Sequence, residues 1–183
     1  IFSLLACQLG ARHVDAVELD DAIKVAEVNA AQNGYTDRIT FHQALSTSIT
    51  LPQRADIIVS DLRGVLPLYQ QHIPSIVDAR SRLLKAGGNM IPQSDTNFAA
   101  LVEAPKTYLS YEEPWLFNDH DLYMRAGQKM VVNNWQKVNF TGDQLLVPAQ
   151  LWATLDYTNI TDPNVEGELE WHMEKTCIAH GIA

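Results

Sequence analysis

The sequence predicts an α/β protein in which a parallel, doubly wound sheet is followed by antiparallel β structure. Up to Pro92, apolar segments with helical spacing alternate with short runs typical of strands. One run, residues 55–62 (ADIIVSDL), has the continuous apolar centre of a strand buried on both faces. After Pro92, short β-like segments are separated by polar turns. We therefore expect two domains, residues 1–92 and residues 93–183.

The first predicted domain contains helices and strands in alternation. Its first helix ends before Gly10, the second is capped by Asp20 or Asp21, and Gly87-Gly88 ends the third. The helices cover residues 1–9, 20–33 and 68–84, and the strands cover residues 13–19, 39–45, 55–62 and 89–91. This alternation places helices on both faces of a parallel sheet.

The second predicted domain is a β-sandwich or β-barrel. Its predicted strands cover residues 98–103, 128–135, 151–157 and 168–178. Alternation of apolar and polar residues is clearest in the last of them, at ELEWHME. An aromatic-rich segment, residues 108–124, interrupts the β pattern and is interpreted as a small helical insertion.

Composition excludes several classes of protein. The formal net charge of −9 argues against a nucleic-acid binder, and no apolar run approaches the length of about 20 residues that spans a bilayer. Cys7 and Cys177 are far apart, which argues against a disulfide scaffold and favours a cytoplasmic protein. The six histidines are scattered without metal-ligand spacing, so we expect no metal.

Glu18 is the first candidate for cofactor binding. It ends the strand-like run VDAVEL, and ligands of open α/β sheets bind at the carboxyl ends of strands. A carboxylate there can accept both hydroxyl groups of a ribose. Two other interpretations stay open: an exposed acid or helix cap without a ligand, and the ribose-binding acid of a nicotinamide-dependent dehydrogenase.

Asp61 is the second candidate, because it directly follows a buried strand. The strand passes into a loop that contains Gly64 and Pro67, and an acid at this place faces the ligand crevice. The alternative is a loop carboxylate that caps a helix. The chain starts without methionine in an apolar segment and ends inside a strand-like run, so we expect a chain cut at both ends. Neither GxGxxG nor DxGxG occurs anywhere, so we expect weak cofactor binding.

Together these segments resemble the protein arginine methyltransferases, which are class I enzymes that depend on S-adenosylmethionine (SAM). The matching pieces are GARHVDAVELDDAIKVAEVNAAQNGYTDRIT, ADIIVSDLRGVLPLYQQHIPSIVDARSRLLKAGGNMIP and, more faintly, the β-rich remainder. The resemblance implies a Rossmann-like SAM-binding domain followed by a β-barrel. It also implies a homodimer formed through a helical arm at about the place of residues 108–124.

The resemblance also implies roles for individual residues. Glu18 falls on the family's ribose-binding acid, and Ser46 and Thr47 fall where the family contacts adenine. Asp61 and Gln70 fall on the two glutamates of the family's acceptor loop.

The acceptor loop departs from the family pattern. Asp61 is one methylene shorter than glutamate, and Gln70 is neutral, so it can bind a guanidinium by hydrogen bonds only. Arg63 in the same loop would repel a cationic substrate.

The leading hypothesis is methyl transfer from SAM to a nitrogen of a protein or peptide, with arginine as the candidate. A second hypothesis keeps the chemistry but changes the acceptor to a small molecule or a ribosomal protein. A third is a SAM-binding or dimerisation module without catalysis. The β-rich second half argues against a dehydrogenase.

Overall fold

A computed structural model describes residues 1–64, 66–117, 120 and 122–183, and these form two compact units. Unit 1 comprises Ile1–Asp95 and Asp156–Asn164. Unit 2 comprises Thr96–Leu155 and Val165–Ala183. Within the described residues, no helix has the length and apolar character needed to cross a membrane.

Unit 1 is an α/β structure with parallel strands, as the sequence predicts, but the described strands form two separate two-stranded sheets and not the single doubly wound sheet that was expected. Strands β1 (Val14–Val17) and β2 (Ile39–His42) pair in parallel, as do β3 (Ala55–Val59) and β4 (Leu84–Ile91). The register aligns the last residue of β1 with the last residue of β2. The carboxyl ends of these two strands therefore lie side by side.

The helices of unit 1 pack through small apolar clusters. Helices α1 (Phe2–Gln8) and α2 (Ala22–Gln32) contribute Cys7 and Ala30 to a buried cluster that includes Ile39 of β2. Helix α3 (His72–Arg82) contributes Ala79 to a second cluster that reaches Ile58 of β3. The helices thus bury apolar faces against the strands with which they alternate in sequence.

One face of the β3–β4 pair is open. Ile58 packs against the cluster that contains Ala79 of α3, and its β4 partner Met90 is buried. The neighbouring side chains Ile57, Val59 and Ile91 are 54%, 45% and 53% exposed. The sequence predicts a strand buried on both faces here, but in the described structure only one face of β3 is covered.

Gly87 and Gly88 have a different role from the predicted one. Helix α3 already ends at Arg82, and both glycines lie within β4. A Cβ at Gly88 would lie 2.9 Å from the backbone oxygen of Asp56 and 2.7 Å from a methyl carbon of Leu84. Glycine at this position therefore allows close approach of β4 to β3.

Residues 156–164 return from the second half of the chain to unit 1. The guanidinium of Arg80 in α3 donates hydrogen bonds to the carbonyl oxygens of Tyr157 (2.6 Å) and Ile160 (2.7 Å). The amide of Tyr157 donates to the carbonyl of Gln93 at 2.8 Å. These bonds hold the return segment (residues 156–164) against α3 and the chain that follows β4.

Unit 2 contains short sheets and a helical hairpin. The sheets are two-stranded and pair β5 with β7 and β6 with β8. These strands are Ser94–Ala99 (β5), Leu101–Val102 (β6), Gln150–Asp156 (β7) and Gly181–Ile182 (β8). The first two residues of β5 and the last residue of β7 belong to unit 1. The described residues form no closed barrel or sandwich of the predicted kind.

Two predicted strands of the second half are wrong. Residues 128–135 lie mostly in helix α5 (Arg125–Val132), which packs on α4 (Pro105–Leu116). A Cβ at Gly127 would overlap the ring of Trp115, so this glycine accommodates the indole between the helices. Tertiary packing here overrides the strand-forming tendency of two adjacent valines.

Residues 168–178 form no regular strand either. The side chain of Gln150 in β7 donates a hydrogen bond to the carbonyl of Glu170 at 2.9 Å. Residues 168–178 form no regular ladder of backbone hydrogen bonds with a neighbouring strand.

Candidate cofactor and acceptor site

Glu18 lies immediately after β1, at the carboxyl end of the β1–β2 pair. Its amide donates to the carbonyl of His42 at 3.1 Å, which extends the pairing by one residue. Its exposed carboxylate accepts a hydrogen bond from the amide of Asp20 at 2.9 Å. The carboxylate is thus oriented by its own turn and remains accessible to a ligand.

Ser46 and Thr47 lie in the turn that follows β2. Arg82 of α3 holds this turn by donating to the carbonyl oxygens of Ser46 (3.0 Å) and Ile49 (2.8 Å). Arg82 also donates two bonds to Asp78, and the hydrogen bonding and charge of the guanidinium lower the pKa of that carboxyl. The turn backbone is fixed, while the Thr47 side chain is exposed.

Asp61 and Gln70 lie near opposite ends of the loop between β3 and α3, which we call the acceptor loop (residues 60–71). The loop begins where the amide of Ser60 donates to the carbonyl of Ile91 at 2.9 Å. Both Asp61 and Gln70 are exposed. Gln70 has a φ of 56°, a left-handed conformation that is uncommon for a residue with a side chain.

Arg63 does not stand alone in the acceptor loop. Its Nη1 donates to Oδ1 of Asp95 at 2.5 Å, and the hydroxyl of Tyr157 donates to Oδ2 of Asp95 at 2.6 Å. One carboxylate therefore joins the acceptor loop to the return segment. Sequence reasoning missed Asp95 and Tyr157, because neither carries a local motif and each partner is distant along the chain.

His72, the first residue of α3, is buried beside this group. Its ring meets the Tyr157 ring edge-on, with centroids 5.2 Å apart, and only 4% of the residue is exposed. Among the described residues, neither ring nitrogen has a hydrogen-bond partner. Burial lowers the pKa of His72 below its ordinary value, so the neutral imidazole is favoured.

Comparisons with known proteins identify the family of the chain. The family model for ribosomal protein L11 methyltransferase (PrmA) matches residues 1–94. A probable histone-arginine methyltransferase CARM1 of Oryza sativa subsp. indica is 34% identical over 146 residues. The chain belongs to a protein arginine methyltransferase-like family. That match covers 79% of this chain and 24% of the rice protein.

Another relative and two solved structures extend the similarity into the second half. Protein arginine N-methyltransferase 6 of Xenopus tropicalis is 25% identical over 100% of this chain and 56% of its own length. The Trypanosoma brucei PRMT1 enzyme-prozyme heterotetrameric complex with AdoHcy superimposes with a TM-score of 0.78 at 20% identity, covering 87% of this chain and 50% of that one.

The second structure is Arabidopsis thaliana protein arginine methyltransferase 10, with a TM-score of 0.67 at 19% identity over 85% of this chain and 50% of that one. At these identities the superpositions establish the fold. The chain spans between about a quarter and a little over half of the length of the relatives compared.

Proposed function

We propose that the protein transfers a methyl group from SAM to a nitrogen of a protein, with arginine as the acceptor. The observation that carries this proposal is the methyltransferase match over residues 1–94, together with relatives that are named as arginine methyltransferases. The placement of two accessible acids just beyond parallel strands, Glu18 after β1 and Asp61 after β3, agrees with it.

The cofactor would lie along the carboxyl ends of β1 and β2. Glu18 would accept hydrogen bonds from the two ribose hydroxyls, since its exposed carboxylate is already oriented by the Asp20 amide. The turn held by Arg82 would bring Ser46 and Thr47 beside the adenine. A neutral hydroxyl or backbone contact suits an uncharged base.

Bound SAM would supply a sulfonium methyl group; in-line attack by an acceptor nitrogen would form the N–C bond as the S–C bond breaks, releasing S-adenosylhomocysteine and a proton. The task of this chain's residues is therefore to align the acceptor and exclude water. Asp61 would accept N–H bonds from the guanidinium and localise its positive charge, which leaves another nitrogen more nucleophilic. Gln70 would position the same group through its amide oxygen.

The assembly belongs to the proposal as well. We propose a cytoplasmic homodimer in which the α4–α5 hairpin serves as the arm and the second half contributes to a barrel. Leu109 and Phe117 on or next to α4 and Met130 on α5 are large apolar side chains that are more than half exposed, which supports a role in association.

A ribosomal protein is the second candidate acceptor. The family model that matches residues 1–94 is described as a ribosomal protein L11 methyltransferase, which favours this alternative. The loop chemistry of Asp61 and Gln70 also suits a primary amine, because a single carboxylate can accept hydrogen bonds from it.

Labelled methyl transfer separates the two acceptors. The protein is incubated with methyl-labelled SAM and either a Gly/Arg-rich protein or purified ribosomal proteins, and the products are hydrolysed to amino acids. Label in methylarginine supports the first candidate, and label only in methyllysine or an N-terminal amine supports the second.

Binding of S-adenosylhomocysteine tests the cofactor site independently. We expect Glu18→Gln to weaken binding about ten-fold or more, because a charge-assisted hydrogen bond contributes roughly 1.5–3 kcal/mol. The matched control is Glu27→Gln, which changes a partly exposed acid of α2 that pairs with Lys24. Equal affinities in the two variants would remove Glu18 from the site.

A further inference from the structure

We propose that Arg63 is the positioning residue of the acceptor loop and that Asp95 and Tyr157 hold it in place. The inference rests on the proposed function, in which Asp61 and Gln70 of the same loop contact the acceptor. It gives a structural role to Arg63, whose positive charge, judged from the sequence alone, would only repel a cationic substrate.

Asp95 uses its two oxygens for two different parts of the chain. Oδ1 accepts the bond from Arg63 at 2.5 Å, and Oδ2 accepts the bond from the Tyr157 hydroxyl at 2.6 Å. The Asp95 side chain is only 17% exposed, and that of Arg63 is 43% exposed. Short, charge-assisted bonds to a largely buried carboxylate are among the stronger contacts of a fold.

Tyr157 gives this carboxylate a fixed support. The residue is 0% exposed, its amide bonds to the carbonyl of Gln93, and its carbonyl accepts from Arg80. Burial, followed by the hydrogen bond to Asp95, raises the pKa of Tyr157 far above its ordinary value. The phenol therefore keeps its proton and can donate it to Asp95.

The acceptor loop depends on this support between its ends. Ser60 is bonded to the end of β4, and α3 begins at His72. Arg63 is anchored between these points, directly before Gly64, whose φ of 55° turns the chain. Fixing Arg63 thus restrains the part of the acceptor loop that adjoins Asp61.

The ion pair also sets the charge that an acceptor meets. The positive charge of Arg63 is matched by the negative charge of Asp95 at 2.5 Å, so the carboxylate of Asp61 remains as the unmatched charge of these three. A cationic acceptor is then attracted. Without Asp95, Arg63 would place an uncompensated positive charge two residues from Asp61.

Two variants break the tether from its two sides, namely Arg63→Met and Asp95→Asn. Hydrogen exchange of the amides of residues 61–71 is measured in each variant, in the double variant and in the control Asp37→Asn, which changes an exposed acid elsewhere in unit 1. We expect exchange about ten-fold faster in each single variant than in the wild type. The double variant should show no further increase, because each single variant already removes the same Arg63–Asp95 interaction. Asp37→Asn should match the wild type.

Binding and kinetics complete the test. S-adenosylhomocysteine affinity should change by less than about two-fold in Arg63→Met, while kcat for a Gly/Arg-rich protein falls, since only the acceptor loop has moved. Unchanged exchange in the single variants, or effects that add in the double variant, would overturn the inference. If Asp95→Asn fails to fold, the partly exposed Arg63→Met carries the test together with Tyr157→Phe, for which we expect a smaller increase in exchange.

The exchange result is independent of the proposed function. A wild-type protein that labels no arginine refutes the function and leaves the exchange measurement to decide whether the tether exists. A protein that labels arginine equally well with and without the Arg63–Asp95 pair refutes the positioning role and leaves the function standing.

Discussion

Replacing Tyr157 by phenylalanine removes one hydroxyl from the best-buried aromatic ring of unit 1. The phenyl ring can keep the edge-on contact with His72, and the backbone bonds to Gln93 and Arg80 do not involve the hydroxyl. The loss is therefore confined to the bond with Asp95. Because Tyr157 is 0% exposed, water cannot readily take the place of the lost donor.

The size of the effect follows from the charge of the partner. A hydrogen bond to a charged group contributes about 1.5–3 kcal/mol, and a buried acceptor that loses its donor retains the desolvation cost. We expect Tyr157→Phe to lower the free energy of unfolding by that amount. For a chain of this length, the midpoint of thermal unfolding should fall by roughly 3–12 °C.

Urea unfolding followed by circular dichroism measures the change, with Tyr123→Phe as the matched control. Tyr123 is 86% exposed, so its hydroxyl can bond to water, and we expect a change within about 0.5 kcal/mol. A loss below about 0.5 kcal/mol in Tyr157→Phe would refute the assignment of a strong buried bond to Asp95.

Three further predictions concern other parts of the molecule. Burial lowers the pKa of His72, so the unfolded chain binds a proton more readily than the folded chain. The free energy of unfolding, measured with urea, should therefore be at its full value above about pH 6.5 and decrease below it. His72→Leu should reduce this decrease, whereas the control His172→Leu, at an exposed position, should not. Gly88→Ala should cost about 1–3 kcal/mol in the same assay, because its Cβ would overlap the backbone of β3, whereas Gly142→Ala meets nothing within 4 Å and should be near neutral. Met130→Glu should shift the proposed dimer towards monomer in light scattering, since it places a charge on the exposed apolar surface of α5; an unchanged mass would contradict that interface.

Local patterns were sufficient to predict the framework of unit 1. Glu18 and Asp61 could be selected because each directly follows an apolar run, and a parallel sheet brings such positions to strand ends. The strand over residues 39–42 and the helix over residues 22–32 were predictable for a different local reason. The spacing of their apolar residues matches the period of the element that each forms.

Contacts between distant segments could not be predicted in this way. The helix at residues 125–132 packs with Gly127 against the ring of Trp115, and the sequence of this helix alone does not predict that contact. Likewise, no local sequence feature distinguishes Asp95, and its role is evident only from the hydrogen bonds that Arg63 and Tyr157 donate to its two oxygens. The functional roles of all the candidate site residues stay predictions, because they rest on the resemblance and on position in the fold: Glu18, Ser46, Thr47, Asp61, Arg63 and Gln70.

The central claim is that the acceptor loop directs methyl transfer from SAM to arginine, and Asp61 tests it most directly. The wild type, Asp61→Asn and the control Asp37→Asn are incubated with methyl-labelled SAM and a Gly/Arg-rich protein, and labelled amino acids are identified after hydrolysis. We predict methylarginine from the wild type and Asp37→Asn, and a loss of label of about 100-fold or more from Asp61→Asn, as for removal of a group that binds the reacting centre. Absence of methylarginine from the wild type, while S-adenosylhomocysteine binding is observed in the same preparation, would contradict the claim.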